Sequence, residues 1–315
     1  MRKMSSMNNG PLLLTGASGF IGGNFCRHLL SRYPGRPILA LVRTQSDLPP
    51  GITQIVADDW SLRGLLTAVD GCTCDTIFHL AAYGVRPSQT DASNMLISNT
   101  ILPNTMVALA KALNAALITV GSNSEYALAR QGRAVDEASP LQAIDLYGAS
   151  MAAGGLVSSA YAAACNVPYT HLRLFNVFGP GEPEHRLLPT LTAGLARGHR
   201  VPLSDGMQLR DFIHIDDVCN ALVAAALMVR KLRQPETFNI CTGWAHNVRT
   251  FAETACDILG GEYHLLGFGD LDRRRGEPPV LVGDPTRAEA VLGFRARTNL
   301  KAGLARTIGR KLEAA

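Results

Sequence analysis

Charge is scarce and nearly balanced in this chain of 315 residues: Asp, Glu, Lys and Arg make up 18% and the net charge is +4. No basic stripe with interleaved aromatics appears, and aromatics reach only 6%, so nothing favours a nucleic-acid backbone, although a single arginine can still meet a phosphate. Long hydrophobic runs are missing as well. The longest uninterrupted one, Ala221 to Val229, falls far short of the ~20 residues that cross a bilayer, and Met1 to Gly10 is polar, without an apolar segment of signal-peptide length. The seven cysteines are odd in number and dispersed, with no C-x-x-C pair, and the eight histidines add no ligand spacing. These absences predict a cytoplasmic protein with reduced thiols in its core, no metal, no membrane contact and no nucleic acid. What is present in quantity is apolar: 47% of residues, an ordinary globular share and ample for a core.

The chain is organised around Leu12-Leu13-Leu14-Thr15-Gly16-Ala17-Ser18-Gly19-Phe20-Ile21-Gly22. An apolar run of strand length enters a turn with glycines at Gly16, Gly19 and Gly22, and the periodic Phe25, Leu29 and Leu30 follow as a helix. The first glycine allows the tight turn, the second lets a pyrophosphate approach the backbone, and the third lets the helix pack close to the sheet. The helix start, Phe20 and Ile21, then offers free N–H groups and a positive dipole end to phosphates.

Pro37 to Arg43 reads as a second strand, buried on both faces as a parallel strand would be. At its end an NAD site places an acid for the ribose 2′-OH; here Val42 stands there and Arg43 follows, with Thr44 and Ser46 nearby. That arrangement suits a 2′-phosphate, so NADP is expected, with NAD second. Gln54 to Trp60 reads as a third strand, Asp75 to Ala82 as a fourth, Leu117 to Val120 as a fifth, and Pro168 to Gly181 as a sixth strand with its exit. His79, inside an apolar strand, is expected to be packed rather than reactive.

The G-x-x-G-x-x-G turn, His79-Leu80-Ala81-Ala82, a Ser four residues before Tyr126, Tyr147-x-x-x-Met151, Leu172-Arg173-Leu174-Phe175-Asn176-Val177-Phe178-Gly179-Pro180 and Arg210-Asp211-Phe212 stand in one order along the chain. Together they resemble the extended short-chain dehydrogenase/reductases, the NAD-dependent epimerase/dehydratase family that acts on nucleotide sugars. The resemblance runs from Leu12 to about Ile308. It implies an α/β fold: a doubly wound parallel (Rossmann) sheet with a smaller C-terminal substrate lobe. The NAD(P)-binding domain would span residues 1–176, with the chain returning to it around 205–245, and residues 177–315 would mainly form the nucleotide-sugar lobe.

The resemblance also assigns residues. Asp59 and Trp60 would contact adenine, Leu80, Ala81 and Ala82 would lie against the cofactor, and Asn99 would brace the site. Phe175 and Val177 would pass the nicotinamide. Ser122 would hydrogen-bond the sugar oxygen undergoing redox, with Asn123 and Ser124 beside it. Asn176, Leu188 in the helix opened by Leu187-Leu188-Pro189, and two phosphate-clamping arginines, Arg210 and Arg274, would hold the substrate, while Asp211 and Asp217 would be structural. Val201-Pro202-Leu203 would lie beside the nucleotide base, and a homodimer through the helices after Asn99 and around Tyr147 is implied.

One position departs from the pattern. The family's Tyr-x-x-x-Lys places both side chains on one helix face, and the lysine binds the nicotinamide ribose and lowers the tyrosine pKa. Tyr147 fits, but Met151 occupies the lysine position and can do neither. Three readings stay open: an enzyme disabled at one residue, a variant that uses Tyr147 only as a hydrogen-bond donor, or a protein that binds without turnover. The expected activity is hydride transfer between NAD(P) and C4 of a nucleotide hexose, by a 4-ketoreductase or 4-epimerase, with a non-catalytic binding protein as the alternative. Dehydration is disfavoured, because Asn123 and Ser124 stand where dehydratases carry Asp-Glu. The exchangeable cofactor implied by Arg43 suits a reductase, whereas an epimerase normally retains NAD.

Overall fold

The computed structural model describes residues 10–127, 134–141, 143–273 and 276–313. Thirteen strands and nine α-helices follow one another along them. In chain order the first part carries β1 (Leu12–Thr15), α1 (Phe20–Arg32), β2 (Ile38–Val42), β3 (Ile52–Val56), α2 (Leu62–Ala68), β4 (Thr76–His79), α3 (Ala92–Leu96), α4 (Leu102–Ala112) and β5 (Ala116–Ser122). Then come α5 (Leu146–Cys165), β6 (Tyr169–Leu174), β7 (Asn176–Phe178), α6 (Leu187–Ala196), β8 (Val201–Leu203), β9 (Leu209–His214), α7 (Ile215–Met228) and β10 (Glu236–Ile240). The last elements are β11 (Ala245–Asn247), α8 (Val248–Leu259), β12 (Leu266–Phe268), β13 (Val280–Leu281) and α9 (Leu300–Glu313).

Seven strands form one parallel sheet in the order β3-β2-β1-β4-β5-β6-β10, the doubly wound arrangement the sequence leads one to expect. Alternation sends successive residues of β1 to opposite faces. Leu12 and Leu14 pack with Phe25, Leu29 and the apolar side of α7, while Leu13 packs with Met106, Val107 and Leu117 on the other face. The strand order reverses between β1 and β4, which stay paired through Thr15 and His79 while the chain leaves β1 into α1. That switch point opens a crevice beside the glycine turn.

A second set of strands lies after β6. Strand β9 pairs with β7, β11 and β13, and β8 pairs with β12. Phe178, Leu191, Phe212, Phe251, Leu300 and Leu304 share a separate core there. Between the two, β10 brings the chain back to the edge of the large sheet beside β6.

Some strand limits differ from the sequence reading. The third strand lies at Ile52–Val56 rather than Gln54 to Trp60. Its pairing ends with the Ala57 N–H on the Val42 carbonyl, and the Asp59 carboxylate turns to cap the next helix through Ser61. The run from Pro168 divides at Phe175, whose N–H still bonds Ile240 of β10, while Asn176 begins pairing with β9 instead. The fourth strand proper stops at His79, leaving Leu80, Ala81 and Ala82 as an extended exit from the sheet.

Candidate active site

At the glycine turn, Gly16 has φ +71°, and a Cβ there would fall 2.6 Å from the Ala81 nitrogen. A Cβ on Gly22 would come 2.0 Å from the Gly16 carbonyl oxygen. Only hydrogen at both positions lets α1, the turn and the Leu80-Ala81 exit of β4 meet. Helix α1 starts after Gly19 with no side-chain cap and no acid in its first turn, so its N–H groups and dipole remain available to an anion. Phe20 and Ile21 are half-buried at this terminus, and Ala81 and Ala82 are half-buried at the β4 exit. A backbone cradle that any Cβ would fill, facing an uncapped helix start, fits the pyrophosphate of a dinucleotide.

At the far end of the crevice Arg43 is exposed just beyond β2, with its guanidinium 5.8 Å from the centre of the Trp60 ring. Trp60 is held by its own indole N–H, which donates to the Ala57 carbonyl at 2.8 Å. Asp59 accepts from the Ser61 N–H and hydroxyl at 2.8 and 2.7 Å, and these bonds hold its carboxyl below the usual value.

The reacting end is built by the close approach of β5 and α5. Asp145 caps α5 by accepting from the Gly148 N–H at 2.8 Å, and a Cβ on Gly148 would lie 2.1 Å from the Ser124 carbonyl oxygen. Glycine there lets the first turn of α5 rest on the Ser122-Asn123-Ser124 turn. Ser122 and Tyr147, separate in the chain, are thereby brought together at the end of β5. Burial pushes the Tyr147 phenol up to about 12; the Ser122 hydroxyl and the charge of Arg186 pull against that rise, while Glu125 and Asp145 add to it. Asn123 is buried with its Oδ1 3.4 Å from Ser122 Oγ, and Ser124 is half-buried.

Met151, one turn on from Tyr147, is 5% exposed. It borders a cavity of about 10 Å³, room for about one water, shared with His79, Asn99, Thr119, Gly155 and His171. His79 bonds Thr15 Oγ1 through Nδ1 at 2.7 Å, and burial lowers its pKa to about 4, so it stays neutral in the sheet. Asn99 lies in a π-helical turn, Ile97–Ile101, between α3 and α4. Pro103 stands four residues on and has no N–H to give the Asn99 carbonyl, which is a local reason for the widened turn. The Asn99 amide clamps Tyr83, accepting from its N–H and donating to its carbonyl, both at 2.8 Å, and also donates to Ser150 Oγ at 3.0 Å.

The sequence reading missed a charged network directly beneath Ser122. Glu125, fully buried, takes the Ser122 N–H at 2.8 Å, Arg173 Nε at 2.7 Å and His171 Nε2 at 3.2 Å. Arg173 passes the chain of bonds to the Tyr126 hydroxyl at 3.0 Å, and Tyr126 donates to Asn239 of β10 at 2.6 Å. Two signals were present in the sequence. Ser122-x-x-Glu125 is capping-box spacing, and the structure contains that box; Arg173 is a lone cation inside an apolar strand.

On the opposite wall, Phe175 and Val177 are buried and Asn176 donates to the Asp211 carbonyl at 3.2 Å. Leu188 is buried in α6, at 2% exposure. Arg210, also buried, donates to its neighbour's carbonyl on Leu209 at 2.8 Å and to Glu277 at 2.6 Å. Arg274, the second expected phosphate ligand, lies outside the described residues. Asp211 gathers the Thr242 N–H and hydroxyl and the Gly243 N–H at 2.7–2.8 Å, and Asp217 takes the Thr298 N–H at 2.9 Å. Both aspartates thus hold loops together.

Similar proteins carry the same architecture. A dTDP-glucose 4,6-dehydratase of Streptomyces griseus is 28% identical over 311 residues, covering 94% of this chain and 92% of that protein. A UDP-glucose 4-epimerase of Lactobacillus helveticus is 25% identical over 314 residues, covering 91% and 92%. Among solved structures, MoeE5 in complex with UDP-glucose and NAD is 30% identical and superposes with a TM-score of 0.83, covering 97% of this chain and 99% of that one. The model of the NAD dependent epimerase/dehydratase family matches residues 12–241, most of the chain and all the elements that carry the glycine turn, Ser122 and Tyr147. With that match and this site geometry, the chain belongs to the NAD dependent epimerase/dehydratase family.

Proposed function

We propose that this chain is a nucleotide-sugar oxidoreductase or epimerase that moves hydride between NAD(P) and C4 of a nucleoside-diphosphate hexose, as a 4-ketoreductase or 4-epimerase. The observation that carries the proposal is the contact of Gly148 with the Ser124 carbonyl, which seats the first turn of α5, and Tyr147 with it, on the Ser122 turn at the end of β5. A hydroxyl and a phenol brought to one place orient a sugar oxygen and exchange its proton. A nicotinamide dinucleotide, with its pyrophosphate on the Gly16 cradle and the start of α1, would supply the hydride chemistry. The chain's own residues do the rest: Asn99 and Gly148 fix α5, Ser122 orients the oxygen, Tyr147 holds or takes the hydroxyl proton, and Arg210 is the arginine assigned to the diphosphate. Asn123 and Ser124 offer no carboxylate pair for dehydration, which supports redox or epimerisation alone.

Val42 in place of an acid and Arg43 over Trp60 support NADP, with NAD as the second choice. Residues 1–176 with the returning strand β10 are the cofactor domain in this proposal, and most of 177–315 is the sugar-nucleotide lobe. An exposed apolar stripe of Leu96, Ile97 and Ile101 beside Leu156, Val157 and Tyr161 of α5 supports a homodimer, with a second copy covering it. The unpaired thiols of all seven cysteines are compatible with a cytoplasmic home, and no described helix is long and apolar enough to cross a membrane.

A second reading has its own observation. Tyr147, pushed up to about 12 with Met151 where a cation is expected, is the site of a protein that binds cofactor and sugar nucleotide without turnover. Titration with NADPH and NADH, followed by nicotinamide fluorescence, then addition of nucleotide sugars and 4-keto sugars to the chain and to Met151→Lys, separates the two. Turnover by the chain itself supports the enzyme; turnover only after Met151→Lys supports the binding protein; no cofactor binding by either overturns both.

A further inference from the structure

A phenol that must give up or take a proton in an apolar site needs positive charge nearby, and position 151 supplies none. The charged groups acting on Tyr147 are Glu125 beneath β5, Asp145 at the start of α5 and Arg186 at the start of α6. Arg186 is the one cation among them. It reaches the site by a traceable path. The Tyr147 ring packs on Gly84, where a Cβ would come 3.0 Å from Tyr147 Cδ2. The next residue, Val85, offers its carbonyl to His185 Nε2 at 3.2 Å, which ties the loop before α6 to the loop beneath Tyr147. Arg186 follows directly, and its NH2 donates to the Val177 carbonyl at 3.2 Å, on the strand expected to pass the nicotinamide.

Its charge has a partner. Arg186 Nε donates to Glu182 Oε1 at 3.1 Å, and the Glu182 side chain is 4% exposed where that of Arg186 is 41% exposed. Glu182 Oε2 has no hydrogen-bond partner among the described residues.

We propose that Arg186 is a positioning residue that takes over the electrostatic duty of the absent lysine, and that Glu182 sets how much of its charge Tyr147 feels. The proposal rests on Tyr147 being the proton-exchanging group of the proposed function. With Glu182 ionised the pair is neutral as a whole, and the phenol keeps its proton. With Glu182 protonated a net positive charge stands at the Val177 carbonyl and favours the phenolate. Burial pushes Glu182 up to about 7, against the pull of Arg186 and the Gly179 N–H, so the change of state falls near neutral pH.

The test places a ring-fluorinated tyrosine at position 147, whose more acidic phenol titrates while the chain is folded, and follows its fluorine resonance against pH without cofactor or substrate. Arg186→Met should raise the apparent pKa by about half a unit or more, roughly a threefold gain in proton affinity, and Glu182→Gln should lower it by a similar amount. Arg186→Lys should restore the original titration, which a merely structural role of Arg186 would not require. A titration that does not move in either Arg186→Met or Glu182→Gln, or one that moves equally in Arg186→Met and Arg186→Lys, overturns the proposal. Because this readout needs no ligand, it stays separate from the cofactor and sugar titrations that test the proposed function.

Discussion

Glu125 Oε2 and Arg173 Nε lie 2.7 Å apart with both side chains sealed from solvent, directly beneath the serine that faces the site. The pair joins the turn after β5 to β6, and through Tyr126 and Asn239 to β10. Removing one partner of such a pair strands the other charge. Glu125→Gln is therefore expected to cost about 3 kcal/mol or more in urea unfolding. Burial alone would raise the Glu125 carboxyl, but His171, Arg173 and the Ser122 N–H outweigh it and leave it below the ordinary value. The sign follows: this stabilisation is complete above the ordinary carboxylate pKa of about 4.3 and is lost as pH falls through the folded value. Glu125→Gln should flatten the acid limb of a stability-against-pH curve, and an unchanged limb would count against the network.

Under the proposed function, Tyr147, its phenol pushed up to about 12 by burial, is the group expected to set the pH dependence of sugar oxidation. If phenolate is the base, kcat of the chain should climb about tenfold per pH unit above the range in which Glu182 titrates, whereas Met151→Lys should bring the plateau to lower pH. Tyr147→Phe should lower kcat by about 10²–10⁴ while leaving the dissociation constant of the sugar nucleotide within a few-fold. A pH-rate profile of the three forms checks both statements.

Arg43 lies just beyond β2 with its guanidinium 5.8 Å from the centre of the Trp60 ring, and the proposed function puts it beside the cofactor ribose. Arg43→Asp should move the ratio of NADPH to NADH affinity by about tenfold or more toward NADH, read from nicotinamide fluorescence. A ratio that does not change would place the 2′-substituent elsewhere.

Ile101 and Leu156 are more than half exposed, at 56% and 57%, on adjoining helices. The double change Ile101→Glu with Leu156→Glu should leave the thermal midpoint of a monomer nearly intact but abolish dimerisation in sedimentation equilibrium, by placing like charges across a twofold. A monomeric parent chain would sink the expectation at once.

Much of the large sheet was legible because its strands are short apolar runs between glycine or polar turns, as at Leu12–Thr15 and Ile38–Val42. The Tyr147 helix was equally clear. The break at Phe175 was not, since nothing local distinguishes a residue that pairs with β10 from one that pairs with β9. The bonds of Glu125 to His171 and Arg173 span 46 and 48 residues, beyond the reach of any periodicity. Arg186 reads in sequence as an ordinary helix-start arginine. Only the folding of the Gly84-Val85 loop against His185 brings it toward Tyr147.

The return of β10 to the edge of the large sheet carries a consequence for biosynthesis. Thr170 bonds the Glu236 carbonyl across 66 residues of chain, so β6 leaves the ribosome well before the strand that covers it. Until then β6 is an open edge with unpaired N–H and carbonyl groups, a template for association with another nascent chain. A fragment ending near residue 176 would keep that edge permanently, so the first half of the molecule is not a self-sufficient folding unit, and its solubility depends on sequence that is translated afterwards.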